Sequence, residues 1–316
     1  MAQHLGLIQQ ASLNDAWLTI GTYDGVHIGH QGIIGGLAEG ARVTGSPVVV
    51  VTFQPHPAAV IHQQGGPHLL TLPDERAEYL IKAGADFVIT HPFTAQTAGT
   101  SAVEFLTLCK DHLGFRHLWV GYDFALGHKR EGDINHLREW GRTLDYEVNV
   151  IPPVYLHGLI VSSSRIRGML REGQVAQAAQ GLGRWYKVSG EVVRGDGRGS
   201  TLGFPTANIS VPADKYIPKS GVYACVAMVG GEKYAAAVNI GVRPTFDGSA
   251  ATILIEAHLL NIQRSLYGQT VALHFVEWLR EEKRFSRVHD LVEQIQQDVE
   301  HTRALVEATL SSKELL

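Results

Sequence analysis

The feature that most constrains the fold is a change of hydrophobic pattern close to residue 184 of the 316-residue chain. Before this point, strand-like and helix-like segments alternate, which is typical of a parallel sheet with crossover helices. After it, the segments are short, alternate in polarity and are separated by turn residues, which indicates an antiparallel barrel or sandwich. The length allows two hydrophobic cores. We therefore predict an α/β domain over residues 1–172, a linker over 173–183, and an antiparallel β-barrel domain with a C-terminal helix over 184–316.

Local signals in the first half place individual elements. Ser101 and Glu104 have the spacing of a capping box, Gly114 follows the helix that they open, and Asp133 is a second candidate N-cap. The predicted helices cover residues 31–42, 73–83, 101–112 and 133–145. The predicted strands cover residues 16–20, 46–53, 86–90, 117–120 and 146–154.

The second half gives a different set of signals. Gly230 and Gly231 indicate a hairpin turn, and Ser286 is expected to cap the C-terminal helix. A short helix is predicted over residues 174–183. The predicted strands cover residues 186–193, 221–229, 234–240, 252–260 and 269–278. The apolar stripe of the C-terminal helix is predicted to consist of Val288, Leu291, Ile295, Val299 and Leu305.

Residues 21–30 join the first predicted strand to the first helix and read Gly-Thr-Tyr-Asp-Gly-Val-His-Ile-Gly-His. Free backbone N–H groups at a helix start bind anions, and glycine lets a phosphate approach the backbone closely. His27 and His30 are three residues apart, so both side chains are expected on one face of the helix. Hydrogen-bond donors placed there stabilise the charge that develops at phosphorus in phosphoryl or nucleotidyl transfer. From spacing alone, a solvated histidine pair or half of a metal site remains an alternative.

The ordered pattern Gly-x-x-Asp-Gly-x-His-x-Gly-His resembles the nucleotidyltransferases of the H-x-G-H type. Residues 52–57, Thr-Phe-Gln-Pro-His-Pro, make the similarity specific to the prokaryotic FAD synthetases. The resemblance implies a Rossmann-like nucleotidyltransferase domain in which His27 and His30 are catalytic. His56 is open to two interpretations, nucleotide positioning or a rigid turn between two prolines. The residues of this loop that the resemblance assigns to nucleotide or phosphate binding are Gly21, Tyr23, Asp24, Gly25 and Gly29.

Two later loops fit the same family. Residues 121–127 read Gly-x-Asp-Phe-x-x-Gly and follow a predicted parallel strand, where open α/β sheets bind ligands. Residues 162–167 read Ser-Ser-Ser-Arg-Ile-Arg and are similar to a Ser-Ser-Thr-x-Ile-Arg signature that grips the phosphates of ATP. Tyr23 and Leu126 stand where the family usually has phenylalanine, and Ser164 stands for threonine. The resemblance assigns nucleotide or phosphate binding to Asp123, Ser163, Ser164 and Arg167.

A glycine-rich loop in the second half leads into Pro205-Thr206-Ala207-Asn208. No Gly-x-x-x-x-Gly-Lys-Ser/Thr occurs, which excludes the P-loop kinase pattern. The Pro-Thr-Ala-Asn segment resembles the riboflavin kinase signature, as do residues 239–246 and Glu256-Ala257-His258. The resemblance implies that Thr206 and Asn208 hold Mg²⁺, since both oxygens are hard ligands on one side of an extended segment. It also implies that ADP phosphates are held by Gly195, Gly197, Arg198 and Gly199.

Glu256 is the third catalytic residue that the resemblance implies, because a carboxylate must accept or orient the proton of the attacking hydroxyl. On pattern alone, Glu256 is an outward-facing residue of an alternating strand. Over the whole chain, the resemblance is to bacterial bifunctional riboflavin kinase/FAD synthetases. It implies phosphorylation of riboflavin to FMN by the C-terminal domain, followed by adenylylation of FMN to FAD by the N-terminal domain. ATP is the co-substrate of both steps, ADP and pyrophosphate are by-products, and Mg²⁺ is the metal.

Three alternatives remain open from the sequence. The N-terminal half could transfer a nucleotide to a different phosphate, such as pantetheine phosphate or nicotinamide mononucleotide. One domain could be catalytically silent, although His27, His30, Asn208 and Glu256 are all retained. A flavin-binding sensor without turnover is the third alternative.

Bulk properties narrow the expected partners and location. The formal net charge of −4 predicts no nucleic-acid partner. No apolar run approaches the ~20 residues of a membrane helix, and no leader pattern is present, so we expect a cytoplasmic protein without a membrane partner. Cys109 and Cys225 lie in apolar runs and are expected to be buried free thiols. We expect a monomer or a weak homo-oligomer.

Overall fold

The computed structural model describes residues 2–62, 68–195, 199, 202–243 and 252–311. The predicted phosphate-binding residues Gly197 and Arg198 lie outside the described residues, as does the end of the 239–246 motif. Contacts divide the chain into two compact units, Met1–Ser163 and Ser164–Leu316. The predicted fold class, a parallel α/β sheet followed by an antiparallel barrel with a C-terminal helix, is confirmed.

The first unit is built on a parallel sheet of six strands among the described residues, in the order β1-β4-β3-β2-β5-β6. The strands are β1 (Gln3–Leu5), β2 (Trp17–Ile20), β3 (Val48–Gln54), β4 (Phe87–Pro92), β5 (His117–Gly121) and β6 (Glu147–Ile151). The predicted strand over 146–154 is shorter than expected, because Pro152 and Pro153 have no N–H to continue the ladder. A small hairpin of β7 (Tyr155–Leu156) and β8 (Leu159–Ile160) follows.

Helices cover both faces of the sheet, because the central strand β3 is apolar on both sides. Val49 and Val51 pack in a core that includes Phe105, whereas Val48 and Val50 pack in a second core that includes Leu37. These helices are α1 (Ile28–Thr44), α2 (Pro57–Ile61), α3 (Pro73–Lys82), α4 (Ala95–Gly99), α5 (Ala102–Leu113) and α6 (Ile134–Leu144). The next helix along the chain, α7 (Ser163–Arg171), starts at the last residue of the first unit and otherwise belongs to the second unit.

The capping predictions for two of these helices are confirmed. Ser101 and Glu104 form a reciprocal capping box at the start of α5, and Gly114 ends the helix in the left-handed conformation. Asp133 caps α6 by accepting hydrogen bonds from two backbone N–H groups. Helix α1 is longer than predicted, because His27 itself acts as its N-cap.

The second unit is a closed antiparallel barrel with the strand order β10-β13-β12-β11-β14-β9. Its strands are β9 (Tyr186–Val193), β10 (Ala207–Ser210), β11 (Gly221–Val229), β12 (Glu232–Arg243), β13 (Thr252–Leu259) and β14 (Thr270–Arg280). Strand β10, which is only four residues long, is not among the predicted strands. Gly230 and Gly231 have positive φ values of 58° and 87°, as the predicted hairpin turn requires.

Two helices pack on the barrel. The short helix predicted over residues 174–183 is α8 (Val175–Leu182), and Ala179 packs in a core cluster with Val226 and Val276. The C-terminal helix is α9 (Val288–Ser311). None of the described helices has both the length and the apolar character needed to cross a membrane.

The predicted apolar stripe of α9 is partly wrong. Val288 is 64% exposed, and the buried residues of the helix are Asp298, Thr302 and Val306. The Asp298 carboxylate accepts hydrogen bonds from the guanidinium of Arg280 on β14, at 2.7–3.1 Å. An ion pair therefore anchors the helix at a place where apolar periodicity predicts a hydrophobic contact. The predicted cap is also wrong, because the helix begins at Val288 and Ser286 does not directly precede it.

The two cysteines are buried free thiols, as expected. Burial raises the pKa of the Cys109 and Cys225 thiols well above the ordinary value. Both thiols therefore stay protonated and unreactive in the folded chain.

We expect Gly40→Ala to destabilise the chain by about 1–3 kcal/mol, because an added Cβ would overlap the ring of Trp17 beneath α1. Gly35→Ala is the matched control on the same helix, where a Cβ meets no atom within 4 Å. That substitution should stabilise the chain by up to about 1 kcal/mol, because alanine is the better helix former. Urea denaturation measures both changes, and an equal effect of the two substitutions would contradict the packing argument.

Candidate functional site

The candidate site of the first unit lies where the strand order reverses. Strands β3 and β5 lie on opposite sides of β2, so the crevice between β2 and β5 is the topological switch point of the sheet. Residues 21–30 follow the carboxyl end of β2, and residues 121–127 follow the carboxyl end of β5. The topology therefore brings two of the predicted ligand-binding loops to one edge of the sheet.

The turn before α1 has an unusual backbone. Tyr23, Gly25 and Val26 have positive φ values of 48°, 83° and 40°. Glycine adopts this conformation readily, whereas a tyrosine and a β-branched valine do so at a cost in free energy. Strain of this kind persists only where surrounding contacts hold the backbone in place.

Those contacts converge on Asp24, which is 1% exposed. Its carboxylate accepts hydrogen bonds from the backbone N–H groups of Leu70 at 3.1 Å and Thr71 at 3.0 Å, and from the Thr71 hydroxyl at 3.3 Å. The N–H of Gly25 in turn donates to the Thr71 hydroxyl at 2.9 Å. The buried side chain of Asp24 thus holds the turn against the segment that contains Leu70 and Thr71.

Arg76 on α3 is a fully buried cation close to this carboxylate. Burial lowers the pKa of its guanidinium, and the negative charge of Asp24 acts in the opposite direction. The Nη2 atom donates to the carbonyl of Phe53, near the end of β3, at 3.0 Å. Arg76 therefore links the strained turn to the strand that carries the Thr-Phe-Gln-Pro-His-Pro motif.

His27 and His30 are brought together, as the spacing predicts. Their rings stack with centroids 3.6 Å apart and planes 20° apart. The Nδ1 atom of His27 accepts a hydrogen bond from the backbone N–H of His30 at 3.3 Å. An accepting Nδ1 leaves the ring proton on Nε2, so His27 presents a donor at Nε2. The two imidazoles lie in the first turn of α1, whose N-terminal dipole favours an anion.

Tyr23 and the nearby glycines shape the histidine pair. The Tyr23 ring packs edge-on against His30 at 5.0 Å, and its hydroxyl is hydrogen-bonded to Thr19. Burial raises the pKa of the Tyr23 hydroxyl above the ordinary value. A Cβ on Gly21 would lie 2.9 Å from the Tyr23 ring, and a Cβ on Gly29 would lie 3.1 Å from the Nδ1 atom of His27. Both glycines therefore make room for an aromatic ring.

The remaining predicted residues of this half lie on three segments. The Ser163 hydroxyl donates to the carbonyl of Asp24 at 2.8 Å, which ties the serine turn to the strained loop. Ser164 and Arg167 lie in α7, beyond the boundary of the first unit, and their assignment stays a prediction. Asp123 is exposed, and its carbonyl accepts a hydrogen bond from Arg130 at 2.9 Å. His56 caps α2 through its Nδ1 atom.

The candidate site of the second unit is a row of polar side chains across three strands. Asn208 on β10 lies directly opposite Glu256 on β13, and Glu256 lies opposite Asn239 on β12. The residues on either side of Asn208 and Glu256, including Ala207 and Ala257, are buried in the barrel. Because side chains alternate along a strand, the three polar residues share the outer face.

Two glycines pack closely against the Pro-Thr-Ala-Asn segment. A Cβ on Gly195 would overlap the carboxamide of Asn208, and a Cβ on Gly199 would lie 3.2 Å from the hydroxyl oxygen of Thr206. His258 donates from Nδ1 to the carbonyl of Pro205 at 2.8 Å. The segment is therefore held from both sides, with the Thr206 hydroxyl and the Asn208 carboxamide in a narrow cradle.

The described residues contain no group of three or more His, Cys, Asp or Glu side chains that could hold a metal ion. A cation in the cradle would therefore use the oxygens of Thr206 and Asn208 together with oxygens of its substrate. Mg²⁺ takes hard oxygen ligands and keeps several waters, so this donor set fits it.

A cavity of about 280 Å³ opens beside the cradle. One of its lining residues, Arg264, donates to the Glu232 carboxylate at 3.0 Å, and this carboxylate also accepts the hydroxyl of Tyr234 at 2.7 Å. The cavity thus combines apolar walls with a fixed cation. Its lining includes Thr206, Ala207, Leu259, Arg264, Leu266 and Tyr267.

Several residues of these arrangements are not among the site residues predicted from the sequence. Arg76 looks like a surface residue of an amphipathic helix, and only its complete burial reveals its role. Asn239 lies in a motif that the resemblance had identified, but nothing in the sequence placed it opposite Glu256. The signal that could have found it is the pairing of β12 with β13, which is a long-range property.

Comparison with known proteins gives matches to both halves. The family model described as FAD synthetase matches residues 9–165, and the model described as riboflavin kinase matches residues 182–306. Proteins named bifunctional riboflavin kinase/FMN adenylyltransferase are similar over nearly the full length. The Listeria monocytogenes protein is 35% identical over 91% of both chains, and the Escherichia coli K12 protein is 36% identical over 92% of this chain and 93% of its own.

A solved structure also matches almost the whole chain. The crystal structure named as a macrolide-efflux protein from Streptococcus pneumoniae has a TM-score of 0.87 and 28% sequence identity. The match covers 96% of this chain and 98% of the other.

We expect Asp24→Ala to destabilise the chain by about 3–5 kcal/mol, because it leaves the buried Arg76 cation without its opposing charge. The substitution also leaves the N–H groups of Leu70 and Thr71 without their acceptor. Urea denaturation measures the loss. Glu39→Ala, at an exposed position of α1, is the control and should change stability by less than about 0.5 kcal/mol. A loss of similar size in both variants would refute the role of Asp24.

We also expect stability to fall as the pH drops below about 6.5, in part because of His91 at the end of β4. Burial lowers the pKa of His91 in the folded state, and its Nδ1 accepts a hydrogen bond from the N–H of Ile8. The unfolded chain therefore binds a proton at a higher pH than the folded chain does, and acid favours unfolding. His91→Gln should flatten the dependence of unfolding free energy on pH between about 5 and 7, with exposed His62→Gln as the control. An unchanged slope in His91→Gln would contradict this prediction.

Proposed function

The chain belongs to the bifunctional riboflavin kinase/FMN adenylyltransferase family, and we propose that it converts riboflavin to FMN and then FMN to FAD. The observation that carries the proposal is that each unit has its own cluster of candidate phosphate-transfer residues. One is the stacked histidine pair at the start of α1, and the other is the row of Asn208 and Glu256 on the barrel. We assign adenylyl transfer to residues 1–172 and the kinase reaction to residues 184–316.

In the first step, the primary hydroxyl oxygen of riboflavin attacks the γ-phosphorus of ATP. A bond forms between this oxygen and the γ-phosphorus, the bond from the γ-phosphorus to the bridging oxygen breaks, and ADP leaves. Glu256 accepts the proton of the attacking hydroxyl. Its position directly opposite Asn208 supports this role, because it places the base next to the end of the cradle.

Kinases and adenylyltransferases that use ATP generally need a divalent metal ion. We propose that Thr206 and Asn208 hold Mg²⁺ in the cradle against Gly195 and Gly199. The ion supplies charge neutralisation on the phosphates when it is bound. The backbone of the glycine-rich loop, from Gly195 to Gly199 and with Arg198, holds the phosphates of ADP. The adjacent cavity takes the nucleoside of ATP, since its apolar walls suit a base.

In the second step, an oxygen of the FMN phosphate attacks the α-phosphorus of ATP, and pyrophosphate leaves. His27 and His30 donate hydrogen bonds to the charge that develops at phosphorus, and no covalent enzyme intermediate forms. The loop that contains Gly21, Tyr23, Asp24, Gly25 and Gly29 binds the nucleotide. The hydrogen bonds of Tyr23 to Thr19 and of Asp24 to Thr71 hold this loop in place. Asp123, Ser163, Ser164 and Arg167 bind the nucleotide. Because both steps consume ATP, we place the enzyme in the cytoplasm.

The two sites allow each half to serve as the control for the other. We expect Glu256→Ala to lower riboflavin phosphorylation by at least about 100-fold, since a general base contributes ~10²–10⁴. The same variant should still convert FMN and ATP to FAD at the wild-type rate. We expect His30→Ala to accumulate FMN with adenylyl transfer reduced by about 10²–10³, because it loses a transition-state donor.

The experiment incubates the chain with riboflavin, ATP and Mg²⁺, and resolves riboflavin, FMN and FAD by chromatography over time. FMN should rise before FAD in the wild type. A wild type that stops at FMN would show that the N-terminal half has a different acceptor. Retention of flavin without ATP consumption would overturn both catalytic assignments.

A further inference from the structure

Glu256 has an asparagine opposite it on each neighbouring strand. Asn208 on β10 belongs to the proposed metal cradle, whereas Asn239 on β12 has no role in the reaction described above. Directly opposed residues in an antiparallel pair have Cβ atoms about 5 Å apart, which is within reach of a hydrogen bond between their side chains. The carboxamide of Asn239 and the carboxylate of Glu256 are therefore neighbours on the outer face of the barrel.

The carboxamide of Asn239 is itself held by a second carboxylate. Its Nδ2 atom donates to the Oε1 atom of Glu282, just beyond the end of β14, at 3.1 Å. Gly241, two residues along β12 on the same face, leaves the space for this contact, because a Cβ there would lie 2.7 Å from the same Oε1 atom. The planar amide has two N–H donors, and the bond to Glu282 uses one of them.

We propose that Asn239 is a positioning residue for the kinase reaction. Glu282 fixes the plane of the Asn239 carboxamide, and when riboflavin and ATP are bound the second N–H of Asn239 donates to one oxygen of the Glu256 carboxylate. The other oxygen of Glu256 is then directed at the hydroxyl of the primary alcohol that attacks ATP. This inference rests on the proposed role of Glu256 as the base, and it gives Asn239 and Glu282 roles that act only through that base.

A base that is misplaced by about 1 Å can cost 10²-fold in rate. We therefore expect Asn239→Ala to lower kcat for riboflavin phosphorylation by about 10–100-fold. The KM for riboflavin should change by less than about 3-fold, because Asn239 contributes to geometry in the transition state rather than to binding. A change in KM with kcat unchanged would overturn the proposal.

Glu282 offers a milder test on an exposed side chain, where loss of the fold is not expected. Glu282→Ala should lower kcat by about 3–10-fold, because Asn239 keeps its place but loses its orientation. Glu282→Gln should restore kcat to within about 2-fold of wild type, since its amide oxygen still accepts the N–H of Asn239. The matched control is Glu281→Ala, which removes the neighbouring carboxylate that pairs with Lys219 at 3.2 Å and should leave kcat unchanged. Equal losses in the Glu281 and Glu282 variants would overturn the proposal.

A double-mutant cycle separates positioning from a general structural effect. If Asn239 acts through Glu256, Asn239→Ala should cause no further loss of the residual kinase activity in a Glu256→Ala background. A loss of the same factor in both backgrounds would show that Asn239 acts independently, and would overturn the inference. Failure of the proposed function gives a different result, which is wild-type kcat in Glu256→Ala alone.

Transfer of the radiolabelled γ-phosphate of ATP to riboflavin measures the kinase rate of the wild type, the two single variants and the double variant. Conversion of FMN to FAD in the same samples checks the active concentration of the chain.

Discussion

The turn that carries the proposed catalytic histidines of the first unit depends on one carboxylate that is buried away from solvent. Asp24 accepts hydrogen bonds from the segment before α3 and lies close to the buried cation of Arg76. These contacts offset the strain of the positive φ values at Tyr23 and Val26. With the turn fixed, His27 can cap α1 and stack on His30, so that both imidazoles lie at the positive end of the helix dipole. The fold itself thus holds both imidazoles in place, and such preorganisation is the condition for electrostatic catalysis of the proposed adenylyl transfer.

In the second unit, the candidate site residues are held in place by the pairing of strands in the closed barrel. The four-residue strand β10 pairs with β9 on one side and β13 on the other, and this pairing sets Asn208 opposite Glu256. The same register along β12 sets Asn239 opposite Glu256. A shift of one residue in either pairing would move these side chains to the apolar interior. The buried ion pair between Arg280 and Asp298 fastens α9 to β14 of the same barrel. Strand register therefore positions the proposed kinase residues, whereas a buried charge holds the turn that carries the proposed adenylyltransferase residues.

Much of this organisation could be predicted from the sequence, because the relevant signals are local. The alternation of strands and helices identified the parallel sheet, and the short alternating segments identified the barrel. The caps at Ser101 and Asp133 were predicted correctly, since a cap is decided within four residues. The motifs also identified the family and its two reactions, because the residues that carry the chemistry occur in fixed short patterns.

What the sequence could not determine is set by contacts between distant segments. Arg76 has the pattern of a surface residue, yet it is fully buried because Asp24 and the carbonyl of Phe53 lie within its reach in the fold. On α9, the ion pair of Asp298 with Arg280 takes the place of the expected apolar contact. The sequence could not predict it, because hydrophobic periodicity does not report ion pairs. The sequence by itself determined the two kinds of fold, the family, and the short motifs that carry the proposed site residues. Only the tertiary structure decided which of them meet, because strand register and the burial of charge depend on residues far apart in the chain.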